Sequence, residues 1–179
     1  MHLLLNHWPS RWEGQLETEF RRRLAAQRCR FLIDSITRAE NGPAILVSGD
    51  FNDEESDPSI RQILGVQSCG NKSTCILDTL LYSLSGYSGT KAGGSLKYRG
   101  RWYLFDQVFV SGSLLAEGGG TCTGISVLCG GMKVYRPGFL MEKDVQWTGT
   151  KPFRTWNGYL YTGGFSDHLP VFVDLWGGK

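Results

Sequence analysis

The stretch AILVSGDFND, Ala44 to Asp53, ends an apolar, β-branched run with two carboxylates and an amide. Ala44 to Val47 reads as a buried strand, and Gly49-Asp50 turns the chain out of it. A second stretch, GGFSDHLPVFVDL from Gly163 to Leu175, reverses the order: Asp167 and His168 stand directly before an alternating apolar run, Pro170 to Leu175. Ionisable groups at strand ends are what a reactive site built on a sheet looks like, so the fold turns on whether these two ends meet.

At the start of the chain, Met1-His2-Leu3-Leu4-Leu5 lacks the basic start and long apolar core of a signal peptide and reads as the tail of a buried strand. The chain is thus expected to begin inside a fold unit. Gln15 to Glu40 has helical composition, with Leu16, Phe20 and Leu24 at four-residue spacing and Asn41-Gly42-Pro43 as its stop. Its arginines Arg21, Arg22, Arg23, Arg28 and Arg30 read as a solvated face. Asp57-Pro58 opens a short helix carrying Ile60, Ile63 and Leu64 and ended by Gly65. Residues 77–84 suggest another short helix. Trp102 to Ser111 holds a β-rich run ending Val108-Phe109-Val110, with Asp106 just before it.

The 179 residues suit one domain, and 41% hydrophobic with 20% charged residues is a globular composition. A net charge of +2 is too small for a general polyanion binder, so any nucleic acid must be held by a local patch or a metal. No run is long and apolar enough to cross a bilayer. The five cysteines include no CxxC pair, which argues against zinc. Cys69–Cys75 or Cys122–Cys129 are open as disulfides, with free thiols the plainer reading. Gly70-Asn71-Lys72-Ser73 resembles the end of a phosphate-binding loop, but Asn71 stands where that motif needs Gly, so it reads as a surface loop.

Taken singly, the polar groups have plain explanations. Asp50, Asn52 and Asp53 suit a turn in which they bond their own backbone, and His168 suits a structural core position. The set shifts the balance: of three histidines, His7 and His168 both sit at strand ends beside polar groups. Such a set suits water attack on a phosphate ester. Asp50 is an acceptor able to hold or deprotonate the water, and Asn52 offers an amide donor to nucleophile or phosphate. Asp106 paired with His168 makes an acid/base or phosphate-clamping dyad. Asp167 suits Mg2+, a hard ion with oxygen ligands, which neutralises charge on phosphoryl oxygens.

Four motifs occur in order: Asn6-His7-Trp8-Pro9-Ser10-Arg11, Gly49-Asp50-Phe51-Asn52-Asp53, Phe105-Asp106-Gln107-Val108-Phe109-Val110-Ser111 and Ser166-Asp167-His168-Leu169-Pro170-Val171. Together they resemble the endonuclease/exonuclease/phosphatase superfamily, the deoxyribonuclease I-like fold, from residue 3 to residue 175. The aromatic, Gly-rich lead-in from Trp156 to Phe165 is similar to bacterial members. The resemblance implies an α+β fold: a four-layer α/β sandwich of two mostly antiparallel sheets with helices outside. His7 then matches the histidine at the scissile phosphate, and Asp50 and Asn52 the pair that positions water and phosphate. Asp106 matches the aspartate that orients the last histidine, His168. Asp167 and Asp50 are the expected metal residues for Mg2+ or Mn2+, and Asn6, Arg11, Arg99 and Trp156 the expected substrate contacts.

Family members carry, upstream of the first motif, an Asn and a Glu that bind the metal, and this chain has neither in that place. Residues 1–179 are therefore expected to form the C-terminal portion of one such domain, with bare sheet edges where the N-terminal segment completes the fold. The implied activity is metal-dependent phosphoesterase, including nuclease; the alternative is an inactive fragment or phosphate-binding module of the same fold. Nucleic acid is the broadest substrate class, with phosphorylated lipids, inositol phosphates and sugar phosphates open. Lys97-Tyr98-Arg99-Gly100-Arg101-Trp102 mixes cations and aromatics in a way that suits a nucleic-acid backbone and base, though a strand pair with snorkelling Lys and Arg explains it at least as well.

Overall fold

The structure, a computed structural model, describes residues 1–69, 76–85, 93–116 and 124–177. The loop at residues 70–73, Cys75, Cys122 and the glycines at 118–120 lie outside them. The elements that position the site are β1 (His2–His7), α1 (Gln15–Ala39), β2 (Ile45–Asp50), β3 (Gln67–Ser68), β4 (Leu81–Ser83), β5 (Leu96–Tyr98), β6 (Arg101–Tyr103) and β7 (Asp106–Ser111).

One five-stranded sheet, ordered β1-β2-β7-β4-β3, is the centre of the molecule. It is mixed: β1 and β2 are parallel, as are β3 and β4, while β7 runs antiparallel to both β2 and β4. That differs from the expected mostly antiparallel sheet. Parallel pairing of β1 and β2 follows from α1, which carries the chain back to the starting edge. Gly49 permits it: a Cβ there would lie 1.8 Å from the Asn6 carbonyl oxygen.

Strand alternation gives each sheet face its own core. On one face Ile45, Val47, Phe109 and Leu81 pack beneath Ala26, Cys29 and Ile33 of α1 and beneath Ile60 and Leu64 of a π-helical turn, Ser59–Leu64. On the other, Leu46, Val108, Val110 and Tyr82 meet Leu114, Leu115, Val127 and Met132, with Val171 and Val173 against them. Each fully buried Ile, Val or Phe contributes roughly 1.5–3 kcal/mol of burial free energy. Among the described residues this second layer consists of short antiparallel ladders rather than one sheet; Val171–Phe172, the strand part of the expected Pro170–Leu175 run, pairs with Lys133–Val134.

Four further expectations change. Residues 77–84 are not helical: Leu81, Tyr82 and Ser83 are buried as a strand between β7 and β3, and ladder pairing overrides local propensity. The run from Trp102 to Ser111 breaks at Leu104-Phe105, so β6 pairs with β5 and β7 enters the central sheet. The arginines of α1 are not all solvated. Its buried stripe is Thr18, Arg22, Ala26, Cys29 and Ile33, with Arg22 fully buried, whereas Leu16, Phe20, Leu24 and Phe31 are exposed. Finally, Cys69 bonds to Cys129, neither of the two pairings read from spacing, because β3 and the loop at Cys129 meet in the second core.

Candidate functional site

Register builds the site. Parallel pairing sets His7 opposite Asp50, and antiparallel pairing sets Asp50 opposite Asp106. Three ionisable residues therefore stand side by side at one rim, on the face away from α1.

Asp50 is braced from behind. Asn52 takes a left-handed backbone, φ 51°, which folds it back so that its N–H donates to Asp50 Oδ1 at 2.9 Å. Its side-chain amide donates to Asp50 Oδ2 at 3.1 Å and to the Trp8 carbonyl at 3.0 Å. The donor expected to face the nucleophile is thus used inside the loop. Burial raises the Asp50 carboxyl above its ordinary range; the Asn52 hydrogen bond and the neighbouring histidines oppose this, and Asp106 adds to it.

His168 arrives from the second layer. Ser166 Oγ accepts its N–H at 3.1 Å, a local turn, and Leu169 N–H donates to the Ser95 carbonyl at 2.8 Å, which pins the segment beside β5. His168 Nδ1 meets Asp106 Oδ2 at 2.7 Å. An ionised carboxylate only accepts, so Nδ1 carries the proton and Nε2 faces Asp50 Oδ2 at 4.0 Å. Burial works to lower the His168 pKa, but the Asp106 hydrogen bond and the charges of Asp106, Asp50 and Asp167 win, and it is raised. His7 Nε2 lies 3.7 Å from the same Asp50 oxygen, with its ring 78% exposed. These two gaps exceed a direct hydrogen bond and are of a length that two hydrogen bonds to one water oxygen can span.

The structure thus brings His7, Asp50, Asn52, Asp106 and His168 together. Other expected residues sit elsewhere. Asn6 points to the α1 face, donating to the Leu4 carbonyl and accepting from the Trp8 indole at 3.0 Å. Arg11 turns inward: it donates to the Asn52 carbonyl at 2.6 Å, pairs with Asp53 and Asp57, and stacks over Phe105. Arg99 lies at the turn of the β5–β6 hairpin, and Trp156, 55% exposed, in the hairpin before Ser166. The Asp167 carboxylate is 55% exposed and lies 3.8 Å from Arg154.

Two residues had no signal in the sequence reading. Ser95 is fully buried, and its hydroxyl donates to the same Asp106 oxygen at 2.5 Å, fixing that carboxylate beneath His168. Arg22 donates to Asp53 Oδ1 at 2.7 Å, while Ser59 donates to Oδ2 and the Gln107 amide holds the Asp53 carbonyl at 2.7 Å. This cluster anchors the far end of the loop that carries Asp50 and Asn52.

Asp50, Asp106 and His168 offer ligand atoms within 4.8 Å of one another. Asp106 Oδ2 already accepts two hydrogen bonds, and an imidazole is a poor partner for Mg2+. The donor set therefore fits an open oxygen site, in which one or two carboxylates share a hard cation with water and substrate, and not a closed cage.

Among curated proteins none matches the chain. Among solved structures, truncated Caenorhabditis elegans TDP2 is similar with a TM-score of 0.45 at 13% identity, covering 74% of this chain and 44% of that one. An endonuclease/exonuclease/phosphatase family protein from Bacteroides thetaiotaomicron gives 0.41 at 17% identity, covering 86% of this chain and 45% of that one. The chain spans less than half the length of either. A family model described as the endonuclease/exonuclease/phosphatase family matches residues 1–176. The chain, nearly end to end, belongs to the endonuclease/exonuclease/phosphatase family.

Proposed function

We propose that the rim hydrolyses a phosphate ester by attack of an activated water. The observation that carries this reading is the alignment of His7, Asp50 and Asp106 across three neighbouring strands, with His168 joined to Asp106 and facing Asp50. Asp50 accepts the proton side of the water, and Asn52 holds that carboxylate in place. His168, kept in one tautomer by Asp106 and Ser95, presents Nε2 to the phosphoryl oxygens, where its protonated form offsets developing charge. His7 is exposed and meets the phosphate from the β1 side. Asp50 and Asp106 would hold Mg2+ or Mn2+, which when bound neutralises charge on the phosphoryl oxygens. Asp167 as a further metal ligand is a separate expectation, since its carboxylate faces Arg154.

We infer also that a further segment covers the bare side of the sheet and supplies the fourth layer of the sandwich. Leu3 and Leu5 of the edge strand β1, on the face that carries His7, are 57% and 76% exposed. Residues 1–179 are then the C-terminal portion of one domain.

The test is cleavage of a generic phosphodiester with Mg2+ or Mn2+, using the chain alone and the chain lengthened by its upstream coding sequence. Activity is expected in the longer protein, abolished by EDTA and reduced at least about a hundredfold by His168→Ala or Asp50→Ala. Equal rates for His168→Ala and the unaltered protein would remove the mechanism.

A further inference from the structure

A second constellation lies apart from the rim. The loop after Met141–Lys143 closes over the tip of the β5–β6 hairpin and leaves an open cleft of about 780 Å3 between them. None of His7, Asp50, Asp106 or His168 lines it.

The floor of the cleft is fixed from inside. Lys97 is buried, and its ammonium donates to the Asp144 carboxylate at 2.8 Å and to the Thr148 carbonyl at 2.7 Å. The same carboxylate accepts the N–H groups of Trp147 at 3.0 Å and Gln146 at 3.3 Å, while Asp144 N–H closes the loop on the Gly149 carbonyl at 2.9 Å. One cation thus neutralises the carboxylate of the floor and ties both ends of the loop, which makes the platform rigid before any ligand arrives.

The walls carry the opposite charge. Arg99 and Lys143 are exposed. Arg101 is 64% exposed and meets Glu54 at 2.8 Å. The indole of Trp147 lines the same cleft. The Arg99-Gly100 turn has φ values of 48° and 82°, and a Cβ on Gly100 would lie 3.2–3.4 Å from indole carbons. One face of the indole therefore rests on hairpin backbone, and Trp147 is still 44% exposed. A flat apolar ring flanked by cations matches a ligand that joins a heteroaromatic ring to a phosphate.

We propose that this cleft is an accessory nucleotide-binding site, in which Trp147 stacks on a base and Arg99 and Lys143, with Arg101 at the edge, hold the attached phosphate. The volume falls in the range of sites that hold small ligands, and the open side accepts either a free nucleotide or one unit of an unpaired strand. The site does not depend on hydrolysis at the rim.

Binding is tested in EDTA, so that no cleavage intervenes, by intrinsic fluorescence titration with AMP, with an oligothymidylate of about eight residues, and with adenosine. Saturable binding of AMP assigns a free nucleotide; saturation by the oligomer alone assigns an unpaired strand; both support the site. Trp147→Ala, followed by equilibrium dialysis because it removes the reporting indole, and the double variant Arg99→Glu/Lys143→Glu should each weaken binding about tenfold or more, with circular dichroism unchanged. Asp50→Asn should bind as the unaltered protein does. Absence of saturable binding by either phosphate ligand, adenosine binding as tightly as AMP, or unchanged affinity in both cleft variants would overturn the assignment. Loss of phosphodiester cleavage in Asp50→Asn with binding retained leaves both readings standing, whereas binding failure with cleavage intact removes only this one.

Discussion

Asp50 and Asp53 leave the same short loop toward opposite faces of the sheet. Asp50 stands at the rim, where among the described residues Asn52 alone is hydrogen-bonded to its carboxylate and two imidazoles lie at 3.7 and 4.0 Å. Asp53 is buried, with Arg22, Arg11 and Ser59 on its oxygens. Burial raises both carboxyls; Ser59, Arg22 and Arg11 oppose it at Asp53, and the Asn52 hydrogen bond and the histidines at Asp50. Identity and spacing therefore do not assign a carboxylate its role. The one surrounded by fixed cations is part of the scaffold, and the one left with unfilled acceptor capacity is available for chemistry.

Asp53→Ala strands the fully buried Arg22 without its carboxylate, and removing one partner of such a pair costs about 3–5 kcal/mol, measurable by urea unfolding. A loss below about 1 kcal/mol would mean that the cluster is not structural. At Asp50 the expectation inverts: Asp50→Asn should cut cleavage by the lengthened protein about a hundredfold or more while the unfolding midpoint barely moves. A cleaving Asp50→Asn protein would erase the distinction.

A smaller effect sharpens the rim side. The folded His168 pKa is raised above its ordinary 6.5, so protonation favours the folded state. This stabilisation is complete below the unfolded value and fades as pH rises through the folded one. Unfolding free energies measured in EDTA from about pH 5.5 to about pH 9 should decline, and His168→Gln should flatten that decline. The smallest effect belongs to Asp167. Its exposed pair with Arg154 is worth at most about 1 kcal/mol, so Asp167→Asn should leave stability nearly unaltered. A large rise in the Mg2+ needed for cleavage would place Asp167 at the metal; an unchanged Mg2+ titration would exclude it.

The rim was legible because its residues interrupt apolar runs. Val47 and Val108-Phe109-Val110 announce central strands, and a charge at the end of each cannot be core. His7, Asp50, Asp106 and His168 were found that way. Arg22 was hidden for the complementary reason: among six arginines in α1, nothing local marks the one whose partner lies 31 residues away. The apolar spacing of Leu16, Phe20 and Leu24 identified the helix but not its inward side, which is set by the smaller Ala26 and Cys29 beneath the π-helical turn. Ser95 has no pattern around it, since its role exists only after β5 meets Asp106. Arg11 and Asn6 were read outward from a motif, but motif order says nothing about which face a side chain takes. The Cys69–Cys129 bond was missed because spacing favours near neighbours, and these are 60 residues apart.

Gly49 gives the rim a mechanical dependence that no ionisable group carries. With hydrogen as its only side chain it lets the β1 backbone lie flush, and a single methyl would act as a wedge between the strands bearing His7 and Asp50. Gly49→Ala would then widen the gap between two groups whose chemistry it leaves untouched, so the spacing of the reactive pair hangs on a β2 residue that takes no part in any reaction.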